Sequence, residues 1–358
     1  MRPPPHRRHR HRQERSVAQA NSKQQSRGGI QLPPGLTDED LLDLYGTMVL
    51  SRAIDERVWM LNRQGKAALV ASAQGHEAAQ LGTLWALRKH APEFFCFAYY
   101  RDLALWVGQG LSARDVLLGY TAKEGEPISG ARQFPMHGAA MRLKVMNLSN
   151  VVAAHVTHAV GWALASKLRN QVNVAACFFG DGAASQGEVH ESMNFAAVQR
   201  LPVVFFVENN RYAISLPIRK QMAIERVAQR AQAYGMPGVT VDGTDVLAVY
   251  GAAAEAVQRA VKGGGPSLVE FDVERYLPHT SDDDDSRYRD RAEVEAGRLR
   301  DPLKRLQEWL SRSGVLTDEH DAALRRQAKR EVDEATEYAE AAPYPDAGDL
   351  LEHVHAPR

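Results

Sequence analysis

Residues 172–210, VNVAACFFGDGAASQGEVHESMNFAAVQRLPVVFFVENN, decide how this chain folds. The stretch opens on an apolar run, 172–179, interrupted only at Asn173, as expected of a strand covered on both faces. The run stops at Gly180-Asp181-Gly182. From about Ser185 the spacing changes, and Val189, Met193, Ala196 and Ala197 fall on one helical face. A second buried strand follows at 202–210. Strand, helix and strand at this length form a βαβ crossover with parallel strands. Ligands of parallel sheets bind beyond the carboxyl ends of the strands, where Asp181 and Asn210 both stand. Adjacent strands lie about 4.8 Å apart, so on adjacent strands these two residues face one point.

One carboxylate and one amide oxygen are too few for a calcium cage. They suit Mg²⁺, which fills its octahedron with water and phosphate oxygens. Gly180 and Gly182 give a ligand access to the backbone. The helix after Ser185 turns its free N–H groups and positive dipole end toward the same place. A G-D-G tripeptide alone, or Asn209-Asn210 alone, marks an ordinary turn. Their separation by one crossover unit is what gives them meaning. The pattern is neither the nicotinamide fingerprint, whose second glycine set is missing, nor a P-loop, since no G-K-[ST] follows.

The pattern continues on both sides. Thr37 with Asp40 reads as an N-cap and capping box for a helix reaching about Asn62, with Gly65 as its stop. A second helix opens near residue 74, and EFFCFAYYRD (93–102) reads as a strand. Residues 121–150, rich in Gly, Pro, Ser and Met, read as a long loop of the kind that carries function. A helix starts near Val156. GVTVDG (238–243) and SLVEFDV (267–273) read as strands around a helix at 245–262, and Thr317 caps a last helix. The fold class is therefore α/β, a doubly wound, mostly parallel sheet with helices on both faces and helical extensions at both ends. We divide it into a disordered basic tail (1–30), an α/β domain (31–300) and a C-terminal helical extension (301–358).

Composition narrows the function. Lys+Arg and Asp+Glu both number 44 in 358 residues, so no net charge argues for a nucleic-acid or membrane surface. Two cysteines, Cys96 and Cys177, lack metal-type spacing and argue against a disulfide framework, which favours a cytoplasmic setting.

The Gly180–Asn210 pattern resembles the diphosphate-binding motif of thiamine-diphosphate enzymes. More narrowly, the chain is similar to alpha chains of 2-oxo acid dehydrogenase decarboxylase components, over roughly residues 36–345. GHEAAQ (75–80), YYRD (99–102), ENNRYAIS (208–215) and PHTSDDDDSRYR (278–289) carry that likeness. It implies thiamine diphosphate and Mg²⁺ as cofactors. Asp181, Asn210 and the carbonyl of Tyr212 would hold the metal. Gly182 and Ala183 would offer N–H groups to the diphosphate, with Tyr100 and Arg101 also in contact. Val152 would sit under the thiazolium. His279 would touch the diphosphate and assist acyl transfer.

Each role has a plainer rival: Arg101 beside Asp102 as a surface ion pair, Val152 as core, and the acidic 281–289 segment as a solvated loop. The chain also departs from the family pattern. Asn150-Val151-Val152 stands for Ser-Pro-Leu or Ser-Pro-Ile. Ala154 stands where a potassium site needs a hydroxyl, and Glu208 where some relatives place an arginine on the diphosphate.

The resemblance implies oxidative decarboxylation of a branched-chain 2-oxo acid, of the 3-methyl-2-oxobutanoate type, with acyl transfer to a lipoyl domain of a dihydrolipoyl acyltransferase core. A pyruvate or acetoin dehydrogenase alpha subunit and a non-catalytic scaffold chain are the alternatives. One sheet uses up the length, so a beta subunit would supply the activating glutamate in an α2β2 heterotetramer.

Overall fold

The computed structural model describes residues 32–147, 150–352 and 354–355. The tail reading for 1–30 lies outside the described residues. Helix α1 (Asp38–Arg63) begins at the Thr37 box, with Asp40 N–H donating to Thr37 Oγ1 at 3.1 Å and Thr37 N–H to Asp40 Oδ2 at 2.9 Å. There follow α2 (Glu77–His90), β1 (Glu93–Phe97), α3 (Leu103–Gly108), α4 (Ala113–Tyr120), β2 (Gly138–Ala140), β3 (Val145–Asn147) and α5 (Ala154–Leu168). Then come β4 (Asn173–Gly180), α6 (Gly187–Val198), β5 (Val203–Asn209), a hairpin of β6 (Tyr212–Ala213) and β7 (Leu216–Pro217), and the single turn α7 (Ile218–Gln221). The chain closes with β8 (Gly238–Asp242), α8 (Val246–Val261), β9 (Ser267–Asp272), α9 (Arg291–Arg298), α10 (Pro302–Arg312) and α11 (Asp318–Ala341).

Seven strands form one sheet in the order β2-β3-β1-β4-β5-β9-β8. Every pairing is parallel except β2 with β3. The predicted crossover is β4–α6–β5, with Gly180 opposite Glu208 at the carboxyl end. Side chains alternate across the sheet. Phe178, Phe206 and Phe271 point to the face covered by α1, α2 and α8, where their rings stack at 5.0 and 5.8 Å. Cys177, Phe179, Phe205 and Val207 point to the face covered by α5 and α6. Burying one such side chain contributes about 1.5–3 kcal/mol. The last helices join the first face: Leu306 and Leu310 of α10 and Val332, Ala335 and Ala339 of α11 are buried in its core. Polar contacts to α11 from α1 and the turn after it add to that packing, among them Arg57 to Thr336 Oγ1 at 2.6 Å and Lys66 to Glu340 at 2.6 Å.

Three local differences from the sequence reading have physical causes. β1 ends at Phe97, because Asp102 accepts from Tyr99 N–H at 2.8 Å and its own N–H donates to Tyr99 O at 3.1 Å, folding 98–102 into a turn. The 121–150 stretch is not all loop, since β2 and β3 extend the sheet edge. A tight turn at Ala183–Ser185 precedes α6, which starts at Gly187. Both cysteines are buried free thiols. Among the described residues no helix is long and apolar enough to cross a membrane.

Candidate active site

The carboxyl ends of β4 and β5 bring Asp181 and Asn210 together. Asn210 N–H donates to Asp181 Oδ1 at 3.3 Å, and Tyr212 N–H donates to Asn210 Oδ1 at 3.3 Å. Gln221 Nε2 on α7 donates to the Asp181 carbonyl at 2.5 Å and to Ser185 Oγ at 2.9 Å, tying the two turns. Asp181 is 1 % exposed, and its Oδ2 has no hydrogen-bond partner. Burial pushes this carboxyl up to about 6, against the pull of the Asn210 and its own N–H groups. A buried carboxylate oxygen without a donor costs free energy that a cation would offset.

The two residues open into a cavity of about 320 Å³. All nine residues singled out from sequence line it: Tyr100, Arg101, Val152, Asp181, Gly182, Ala183, Asn210, Tyr212 and His279. Val152 is 51 % exposed there, so its reading as core fails. The surface ion pair of Arg101 and Asp102 fails too, because both are buried. The Arg101 guanidinium donates to the Ser72 carbonyl and, at 3.3 Å each, to His279 O and Nδ1. Burial first, then the nearby Arg101 and Arg275 charges, hold His279 down to about 3, so its ring is neutral and Nδ1 accepts. Space is tight at Gly182: a Cβ there would meet the Ala213 Cβ at 3.0 Å.

Charge is unbalanced around the cavity. Arg101 has no carboxylate within 4.0 Å among the described residues, nor has the buried Arg275, which donates to Ile214 O and Tyr288 OH at 3.1 Å each. Of the two, Arg101 lines the cavity, and a buried guanidinium without an adjacent acid suits an anion. A larger cavity of about 680 Å³ between α1, α10 and α11 has no such imbalance, as Arg57 pairs with Asp333 and Arg52 with Asp301.

Sequence reasoning missed three residues here. His137 lines the cavity and stacks on Tyr100 at 5.9 Å, with Nδ1 3.0 Å from Pro135 O. His155 also lines it, with Nε2 2.7 Å from Phe178 O, and burial holds it down to about 4. One signal for His155 was available, a polar residue next to Val156 at the start of an apolar helix. Arg275 was the third; it does not line the cavity, but its charge acts on Arg101 and His279. The acidic segment after His279 is only partly solvated: Asp283 accepts from His279 N–H at 2.8 Å and from Tyr288 OH, and Ser281 N–H donates to Val70 O at 2.8 Å. Glu208 does not line the cavity. It lies behind Tyr99.

The sequence profile of the dehydrogenase E1 component family matches residues 45–348. The 2-oxoisovalerate dehydrogenase subunit alpha of Bacillus subtilis (strain 168) is 46 % identical over 322 residues, covering 90 % of this chain and 97 % of that protein. The pyruvate dehydrogenase E1 component subunit alpha of the same organism is 38 % identical over 323 residues, covering 90 % and 84 %. The 3-methyl-2-oxobutanoate dehydrogenase subunit alpha of Mycobacterium tuberculosis (strain ATCC 25618 / H37Rv) is 37 % identical over 321 residues, again covering 90 % and 84 %. Likeness over nine-tenths of the chain places it: the chain belongs to the dehydrogenase E1 component family.

Proposed function

We propose that this chain is the alpha subunit of a thiamine-diphosphate-dependent 2-oxo acid dehydrogenase that decarboxylates branched-chain 2-oxo acids. One observation carries the reading: the orphan Asp181 oxygen and the unpaired buried Arg101 face one cavity at the ends of β4 and β5. The donor set fits Mg²⁺, with Asp181, the Asn210 amide oxygen and the Tyr212 carbonyl as protein ligands. The N–H groups of Gly182 and Ala183, with Arg101, Tyr100 and His279, fit a diphosphate. Bound thiamine diphosphate supplies a nucleophilic ring carbon and an electron sink for loss of CO2. This chain's own residues bind and orient. Arg101 neutralises phosphate charge, and Val152 offers an apolar support. His279 accepts a hydrogen bond from Arg101 and would assist acyl transfer.

Among the described residues Asp181 is the one carboxylate lining the cavity, and a bound metal would engage it. The acid that activates the cofactor therefore comes from a beta subunit, in an α2β2 assembly that passes its acyl group to a lipoyl domain. The greater identity to the 2-oxoisovalerate relative, 46 % against 38 %, favours branched-chain substrates over pyruvate. The test is titration of thiamine diphosphate with Mg²⁺ into the alpha–beta complex, wild type against Asp181→Ala, then turnover of 3-methyl-2-oxobutanoate and pyruvate. Equal binding by both proteins refutes the metal site. Faster turnover of pyruvate refutes the substrate assignment, and turnover by the alpha chain alone refutes the need for a partner.

A further inference from the structure

Glu208, next to last in β5, has zero exposure and stands in the position where the family likeness had suggested a phosphate ligand. Its carboxylate points away from the cavity into a polar cluster. Oε2 accepts from Tyr99 OH at 2.9 Å and Gln80 Nε2 at 3.1 Å, and pairs with His76 Nδ1 at 2.6 Å. The same Gln80 amide donates to the Arg101 carbonyl at 3.0 Å, and Gln80 Oε1 accepts from Ala104 N–H at 3.0 Å. Asp102 accepts from Tyr99 N–H at 2.8 Å, folding the segment on itself. The Tyr99–Ala104 segment is thus held at the Tyr99 hydroxyl, the Tyr99 N–H, the Arg101 carbonyl and the Ala104 N–H. All of its holders are buried, so water cannot replace a lost bond. The ring of Tyr99 stands between Glu208 and the cavity, which it lines.

We propose that Glu208 is a positioning residue, which through Tyr99 and Gln80 sets the loop that presents Arg101 to the diphosphate. This rests on the function proposed above. Two roles for a carboxylate here have opposite signs. Acting by charge, Glu208 repels an anion, and its removal tightens binding. Acting by position, its removal lets the Arg101 loop relax and weakens binding.

The experiment compares Tyr99→Phe, Glu208→Leu and Glu208→Gln in the alpha–beta complex, reading thiamine diphosphate affinity with Mg²⁺, kcat at saturating cofactor, and melting temperature. Tyr99→Phe deletes one hydroxyl and leaves the ring packed, so it tests the idea even if Glu208→Leu fails to assemble. Tyr99→Phe and Glu208→Leu are expected to raise the KM for thiamine diphosphate about tenfold, or about 1.4 kcal/mol, with kcat at saturation kept within about twofold. Glu208→Gln keeps an acceptor oxygen toward Tyr99 and restores most of the affinity. Tighter binding in Glu208→Leu, unchanged affinity in Tyr99→Phe, or a Gln variant as weak as the Leu variant overturns the inference. Asp181→Ala separates the two levels. If it binds like wild type, the site itself is misread. If it loses binding while Tyr99→Phe does not, only the role of Glu208 falls.

Discussion

Replacing Asp181 by Asn should make the cofactor-free chain more stable and leave it unable to gain from cofactor. The carboxyl is 1 % exposed, one of its oxygens has no partner, and burial lifts it from 3.8 to about 6. That gap is worth about 3 kcal/mol of strain at neutral pH. Asn removes the charge and keeps an oxygen for Asn210 N–H, but it buries an unpartnered amide N–H costing about 1–2 kcal/mol. The net expectation is a gain of about 1–2 kcal/mol. The assay is thermal unfolding at pH 7.5 of both proteins, each with and without Mg²⁺ plus thiamine diphosphate. Wild type should melt lower without cofactor and rise on adding it, because a ligand bound only by the native state stabilises it. Asp181→Asn should start higher and stay flat. A variant that melts below wild type without cofactor refutes the strained-carboxylate argument. One that rises with cofactor as far as wild type refutes the metal role.

Other outcomes follow from the same geometry. Arg101→Lys keeps the charge but loses the fork that reaches Ser72 O and His279 together, so the KM for thiamine diphosphate should rise about tenfold or more, measured in the alpha–beta complex. His155, held down to about 4 in the folded chain against 6.5 unfolded, adds stability that is present above pH 6.5 and is lost as pH falls toward 4. In that window the unfolded chain binds the extra proton, and the full loss is about 3 kcal/mol. Asp181 acts oppositely: raised to about 6, it favours folding at low pH and loses that advantage as pH rises from 3.8 through 6. Comparing urea midpoints of wild type and His155→Gln from pH 4 to 7 cancels the Asp181 effect. Wild type should fall more steeply toward acid, and parallel curves would contradict the assignment.

The parts legible in the sequence are those set by local pattern. The β4–α6–β5 crossover shows as a change of period, and Asp181 and Asn210 show as polar residues at the ends of apolar runs. Thr37 shows as a cap because its partner Asp40 is three residues away. The Tyr99–Asp102 turn was hidden because its aromatic residues have strand propensity, while the Asp102 side chain that bends it acts on the backbone three residues back. His137 and Arg275 were hidden for a different reason. Their meaning depends on neighbours 37 and 174 residues away, Tyr100 and Arg101. Glu208 was read as a change in phosphate contacts, because sequence gives its position on β5 but not the face its carboxylate takes at the strand's end.

The clasp between α1 and α11 bears on how the molecule is made. Arg57 meets Thr336 and Lys66 meets Glu340 across 279 and 274 residues of chain. During synthesis, α1 waits for its cover until more than 250 further residues have been translated. Leu41, Leu44, Met48 and Val58, all fully buried at the end, stay without the apolar surface of α11 through that interval. Contacts this distant in sequence slow folding and leave sticky intermediates. Ribosome-bound fragments ending before Asp318 should therefore engage chaperones, and release should track the arrival of the last helix.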